Sequence, residues 1–278
     1  MKWPADRERT WGEILARLRR EPADSDLRIL ILAAHPDDET IGASLLLSRS
    51  RKSSVAFLTD GAPRDTRLWP PGMNGSREDY ANLRRREATS VMSITGISQD
   101  AIAWLGGVDQ EAVFEIDRLI DQFRNLLVRT NVDLVVTHPY EGGHPDHDAA
   151  AVVARIAASL SENPPALLEM TSYHACDGRC VTGEFLNSDE SLTTSFDLSI
   201  GDRERKRRML DSYASQRLVL ENFPIHNEPL RFAPEYDFSK PPHEGRLWYE
   251  CMGWAMTGPR WRELASAALN KYQEQPCR

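Results

Sequence analysis

The sequence predicts an α/β protein: an open, mostly parallel sheet of about five strands flanked by helices, followed by an irregular C-terminal extension. Three observations carry this. Apolar, β-branched runs of strand length recur at 28–34, 54–59, 101–105, 133–137 and 167–173. Segments with helical apolar spacing separate them. Two of the runs end abruptly in polar clusters, as strands do at the carboxyl edge of a parallel sheet. Alternating strands and helices give parallel strands with right-handed crossovers, a Rossmann-like arrangement.

The elements follow in order. Trp11, Ile14, Leu15 and Leu18 mark an amphipathic helix over 8–20, which a polar connection with Pro22 (21–25) joins to the first strand. After that strand a helix over 40–50 carries Gly42 and Ala43, small enough for close packing on the sheet. The second strand ends in Thr59-Asp60-Gly61 and opens a long loop, 62–75, at the same end of the sheet. Loops of that length in compact domains tend to be functional, so Arg64 and Arg67 are candidate substrate contacts. Ser76 caps a helix over 77–94 with Glu78 and Asp79 in its first turn. Its run Arg84-Arg85-Arg86-Glu87 reads as a solvated face with one buried ion pair. A helix over 111–129, the fourth strand, an Ala-rich helix from His147 to 160 and the fifth strand complete the alternation.

Beyond residue 174 the pattern breaks. A Gly- and Cys-containing loop (174–183) precedes a short strand at 195–200 and a charged helix from Asp202 to about 222, whose basic run reads as a solvated face. Five prolines over 223–245 predict an extended arm; a last strand is expected at 248–254 and a final helix at 261–272. The chain is read as a single domain over 1–278. Residues 28–175 form its α/β core, and 176–278 pack on that core or on a neighbouring subunit, so a homo-oligomer is one expectation.

Composition narrows the function classes. With 41% hydrophobic and 27% charged residues the chain is ordinary for a globular protein. A net charge of −8 argues against a nucleic-acid partner. No run approaches the ~20 apolar residues that span a bilayer, and the Arg-rich start has no apolar signal core, so a cytoplasmic location is expected. Cys176, Cys180, Cys251 and Cys277 form no CxxC pair. Cys176 and Cys180 are compatible with a metal pair or a disulfide; free thiols are the expectation for that compartment.

The chemistry lies in two clusters. The first strand runs into His35-Pro36-Asp37-Asp38-Glu39, and the fourth is followed by His144-Pro145-Asp146-His147. Pro36 and three acids suit the first turn of a helix. Those acids would repel the pyrophosphate that a Gly-rich turn cradles in dinucleotide-binding proteins; they suit a cation. His35 and Asp38 lie three residues apart, so a helical turn brings them to one side and leaves Asp37 free. His144 and His147 share that spacing. Two imidazoles and one carboxylate make a three-ligand zinc site with an open position.

These motifs and their separation resemble the two signatures of the PIG-L/LmbE-like zinc-dependent N-acetylglucosamine deacetylases, over roughly residues 28–175. The resemblance implies that His35, Asp38 and His147 bind Zn2+, or another divalent transition metal. It implies that Asp37 is the general base, that His144 stabilises the oxyanion or protonates the leaving amine, and that Asp146 orients His144. Glu39 falls at a motif position read as structural. A tyrosine that contacts the intermediate in some members has Tyr140 as its nearest counterpart here. His174, at the end of the fifth strand, is a further candidate to line the pocket, as is His138 after the fourth.

The expected function is therefore removal of an N-acetyl group from an N-acetylglucosamine-type sugar or its conjugate, a small-molecule substrate. An amidase releasing a longer acyl group is the alternative within this class. A Rossmann-like nucleotide-binding protein is the alternative outside it, and the acidic first turn argues against that.

Overall fold

The computed structural model describes residues 7–20, 27–50, 52–187 and 189–273; the expected connection at 21–25 and Cys277 lie outside them. Helix α1 (Arg7–Leu18) precedes β1 (Ile29–Ala33), α2 (Asp38–Arg49), β2 (Ser53–Thr59), α3 (Arg77–Thr95), β3 (Ile102–Gly107), α4 (Ile116–Thr130), β4 (Leu134–Thr137), α5 (Pro145–Ser159) and β5 (Ala166–Met170). A hairpin of β6 (Tyr173–Cys176) and β7 (Arg179–Thr182) follows, then β8 (Thr193–Asp197), α6 (Ile200–Ser212), α7 (Arg217–Leu220), β9 (Asn227–Phe232), α8 (Trp248–Cys251) and α9 (Gly258–Gln273).

Strand β1 is buried along its whole length because both faces are covered. Ile29, Ile31 and Ala33 enter one core with Trp11 of α1, Leu46 of α2 and Val91 of α3. Leu30, Leu32 and Ala34 enter the other with Phe123 of α4, Val153 of α5 and Trp261 of α9. The sheet order is β3-β2-β1-β4-β5-β9-β8. The first five strands are parallel; β9 adds antiparallel to β5, and β8 pairs antiparallel to β9 at the edge. β1 therefore lies between β2 and β4, at the point where strand order reverses and open α/β sheets form a crevice.

The C-terminal third departs from the sequence reading in four places. The sheet has seven strands: beyond the five parallel ones, β8 falls near the short strand expected at 195–200, and the stretch expected as an extended arm contributes β9, with Leu168 opposite Phe232 and Met170 opposite Leu230. Its alternation was masked because one inward position is a charge: Glu228 is buried beside Leu230 and Phe232. The loop expected at 174–183 is the β6–β7 hairpin, turned by Asp177 and Gly178 at φ 50° and 73°, the positive angles a tight hairpin demands. Its register pairs Ala175 with Cys180 and Cys176 with Arg179, so the two thiols point to opposite faces and no disulfide joins them. The strand expected at 248–254 is a helical turn instead; Glu250 folds it by accepting from the amides of Leu247 (3.1 Å) and Gly258 (2.7 Å).

The basic run in α6 is not wholly solvated either. Lys206 is buried, donating to the Ile41 carbonyl at 2.6 Å and to Glu228 at 2.8 Å. Glu228 also accepts from the amides of Ser44 and Leu45 at 3.1 and 2.9 Å. Those amides are freed where α2 kinks at Ala43 (φ −143°), so a charge from β9 caps the second half of α2. No described helix is long and apolar enough to cross a membrane.

Candidate metal centre and active site

The two motifs meet because β1 and β4 are neighbours and both release their chains at the carboxyl edge. The turn from β1 into α2 is abrupt. Asp37 takes φ 132°, a conformation L residues rarely adopt. Three groups hold it there. The Glu39 carboxylate accepts from the Asp37 amide at 3.0 Å and is anchored by the Tyr213 hydroxyl at 2.8 Å. The Arg84 guanidinium donates to Asp37 Oδ2 at 2.9 Å and to the Pro36 carbonyl. Burial pushes the Asp37 carboxyl up to about 7, against the opposing charge of Arg84.

Around this turn the imidazoles of His35, His144 and His147 converge, with one nitrogen from each within 4.8 Å of the others. Asp38 lies among them. Its Oδ2 is 3.3 Å from His35 Nδ1 and its Oδ1 is 3.3 Å from His147 Nε2. Although burial opposes it, the charges of His147 and His138 hold the Asp38 carboxyl well below its usual range. His138 stacks on His147 with ring centroids 4.0 Å apart, and its Nε2 accepts from the Ala34 amide at 3.0 Å.

The second motif is held by its own loop. Asp148 accepts from the amides of Glu141 and Gly142 at 3.2 and 3.0 Å. A Cβ at Gly143 would lie 1.9 Å from the Tyr173 carbonyl oxygen, so only glycine fits between that strand and His144. His144 then caps α5, its Nδ1 accepting from the Asp146 amide at 3.1 Å. Burial, reinforced by His35 and His147, keeps the His144 imidazole well below its usual range.

Asp146 corrects one expectation. Its carboxylate lies 4.0 Å from His144 Nδ1, beyond hydrogen-bond range. Instead Oδ2 pairs with His35 Nε2 at 3.2 Å and accepts from the Gln110 amide at 2.7 Å, while Oδ1 accepts from the Ala112 amide at 3.1 Å. A carboxylate on one ring nitrogen fixes the tautomer and presents the other, here Nδ1, as a lone pair.

That arrangement provides a test of fit for a metal. With Nε2 of His35 directed at Asp146, its Nδ1 faces the Asp38 carboxylate at 3.3 Å. With both of its nitrogens facing carboxylates in a buried site, His35 needs a proton or a metal ion between Nδ1 and Asp38. Among the described residues, Asp37, Asp38, Asp109 and Asp146 gather here against the single guanidinium of Arg84. Burial lowers the His35 pKa, yet Asp109, together with its bonds to Asp146 and Asp38, carries it well above the usual range. The site demands positive charge, and a His-His-carboxylate set suits Zn2+.

The expected substrate residues are placed unevenly. Arg64 is exposed and pairs with Glu111 at 2.9 Å, one residue from Gln110. Tyr140 is buried away from the imidazoles, its hydroxyl on the Lys240 carbonyl at 2.9 Å and its ring stacked on Trp261. His174 faces Glu141, with Nδ1 3.6 Å from the carboxylate, and not the imidazole cluster. Its neighbour Tyr173 instead meets His147 edge-on at 5.2 Å.

Sequence reasoning missed Arg84 in its role beside Asp37, and also Asp109, Gln110, Tyr173 and Trp254. Asp109 Oδ1 is buried without a hydrogen-bond partner, 3.3 Å from His35 Nε2. Trp254 packs on His144 at 4.8 Å. The available signal was the position of Asp109 and Gln110, directly after the third strand on the edge that carries both motifs.

Residues 30–158 match the family model described as PIG-L, GlcNAc-PI de-N-acetylase. The chain is 29% identical over 147 residues to a Bacillus subtilis protein described as a probable N-acetyl-alpha-D-glucosaminyl L-malate deacetylase 2, covering 49% of this chain and 64% of that protein. It is 28% identical over 162 residues to the 1D-myo-inositol 2-acetamido-2-deoxy-alpha-D-glucopyranoside deacetylase 1 of Catenulispora acidiphila, covering 49% and 50%. The matches thus span between half and two thirds of those relatives. Among solved structures, a deacetylase of teicoplanin biosynthesis superposes with a TM-score of 0.55 at 15% identity, covering 73% of this chain and 96% of that one. The N,N'-diacetylchitobiose deacetylase of Pyrococcus horikoshii gives 0.52 at 17%, covering 80% and 92%. A 4-carboxy-2-hydroxymuconate hydratase from Pseudomonas putida gives 0.51 at 16%, covering 76% and 98%, so the fold alone does not select a reaction. The paired motifs and the match over residues 30–158 agree in likening the α/β core of this chain to the PIG-L family of de-N-acetylases.

Proposed function

We propose that the chain is a metal-dependent amidohydrolase that removes the acetyl group from an N-acetylglucosamine-type sugar conjugate. The observation that carries this is the convergence of His35, Asp38 and His147 beside Asp37 in one buried, acid-rich crevice. The names of the curated relatives, both deacetylases of glucosamine conjugates, support the substrate class.

His35 Nδ1, an oxygen of Asp38 and His147 Nε2 would hold the ion. When bound, Zn2+ supplies a Lewis acid that polarises a carbonyl oxygen and acidifies a water to a pKa of about 7. Asp37 is the general base. Arg84 occupies its Oδ2, which leaves Oδ1 to take the proton as water oxygen bonds to the amide carbon. His144 is a neutral donor: with Nδ1 accepting from the Asp146 amide, the ring carries its proton on Nε2 and offers it to the developing oxyanion. A doubly protonated His144 would set Nδ1–H against that amide N–H, so of the two roles the resemblance implies for it, oxyanion stabilisation is favoured over protonating the leaving amine. The proton held by Asp37 passes to the amine nitrogen as the C–N bond breaks, leaving acetate and free amine.

The test is a panel of N-acetylglucosamine conjugates, malate- and inositol-linked sugars among them, incubated with zinc-loaded protein. Free amine and acetate should appear in equal amounts and vanish with Asp37→Ala. Matched substrates with longer acyl groups should react more slowly. Absence of amine from every conjugate would overturn the reading.

A further inference from the structure

Gln110 stands where glycine would be expected. Its φ is 72°, in the left-handed region that a residue with a Cβ rarely adopts. Its backbone role is no reason for a side chain, because the amide that donates to Asp146 Oδ2 at 2.7 Å would be present in glycine too. What the side chain adds is one contact: its terminal amide lies 2.9 Å from His144 Nε2.

The chemistry of that contact follows from the other side of the ring. His144 Nδ1 accepts from the Asp146 amide at 3.1 Å, so the proton of the neutral ring is on Nε2. That N–H needs an acceptor in a buried site. The nearest carboxylate oxygen, Asp109 Oδ1, is 3.7 Å away, beyond hydrogen-bond range. The flanking rings of His35 and Trp254, at 4.4 and 4.8 Å, bracket the imidazole. Trp254 has only a donor, and His35 Nε2 is taken by Asp146. A half-turn of the Gln110 amide, which leaves its shape unchanged, presents Oε1 to the His144 proton.

We propose that Gln110 is a positioning residue, its side-chain oxygen receiving the Nε2–H of His144 and holding that donor aimed into the crevice until a substrate carbonyl replaces it. This rests on the reading of His144 as an oxyanion donor. It also explains why a left-handed position is filled by glutamine.

The test is Gln110→Gly, which removes the side chain while suiting the backbone. Three readouts apply. The melting temperature should stay level or rise by about 2–4 °C. In imidazole 1H–15N spectra the His144 Nε2–H signal, assigned by its loss in His144→Gln, should be slow to exchange with solvent in wild type and lost to exchange in Gln110→Gly. On an N-acetylglucosamine conjugate kcat should fall about tenfold, the loss of roughly one hydrogen bond, with KM within about twofold. A protected signal and unchanged kcat in Gln110→Gly would overturn the proposal, and so would a steep loss of melting temperature, which would make the residue merely structural. The spectral readout needs no turnover, so a wild type without deacetylase activity would defeat the functional reading alone.

Discussion

The guanidinium of Arg84 lies 2.9 Å from Asp37 Oδ2, with both side chains almost wholly buried. A helix on one face of the sheet thereby holds the carboxylate at the strained joint after β1. Substituting one member of a buried pair strands the other's charge, at about 3–5 kcal/mol. Arg84→Met should therefore lower the urea unfolding free energy by about that amount and reduce kcat/KM on the best conjugate. Arg84→Met combined with Asp37→Asn should recover much of the stability and none of the activity.

Asp146 is tied to His35, not to His144. Carboxylates that orient a metal-bound imidazole typically change affinity 10–100-fold when altered. Asp146→Asn should weaken zinc binding by about that factor in competition with a chromogenic chelator. Unchanged zinc affinity with reduced kcat would return Asp146 to the role expected from sequence.

Glu228 and Lys206 stabilise α2, the helix that carries Asp38, at its kink. Lys206→Met should destabilise by about 3–5 kcal/mol in urea unfolding, because Glu228 stays buried without its cation. The double variant Lys206→Met, Glu228→Gln should be less destabilised than Lys206→Met alone, the non-additivity expected of residues in contact.

Two glycines should behave oppositely. Gly143→Ala drives a methyl into the Tyr173 carbonyl and displaces His144; a shift near 1 Å at a catalytic group is worth about 10²-fold in rate. Gly12→Ala, in α1 with open space around its Cβ position, should add roughly 0.5–1 kcal/mol of stability. Thermal melts with matched activity assays separate the two.

The parts legible in the sequence share a physical cause. β1 and its motif could be read because an unbroken apolar run, buried on both faces, ends in acids with no other use. The capping box of α3 is local, Ser76 and Asp79 bonding each other's backbone amides. What escaped reading is non-local or disguised. β9 looked irregular because one inward position holds Glu228, whose partner Lys206 lies in α6. The Asp177-Gly178 turn of the hairpin is a local signal, disguised by the two cysteines that flank it. Asp109 and Gln110 belong to no motif, and only the parallel register of β3 with β2 brings them to the crevice. Tyr140 escapes because nearness in sequence to His144 says nothing of direction; its ring packs into the core beside Trp261.

Metal content is the most direct measurement. Protein loaded with zinc, dialysed against metal-free buffer and analysed by mass spectrometry should retain about one ion per chain. His147→Ala and Asp38→Ala should retain almost none while keeping the wild-type circular dichroism. Wild-type protein that holds no zinc, or a His147→Ala variant that holds as much as wild type, would contradict a metal centre shared between the two motifs.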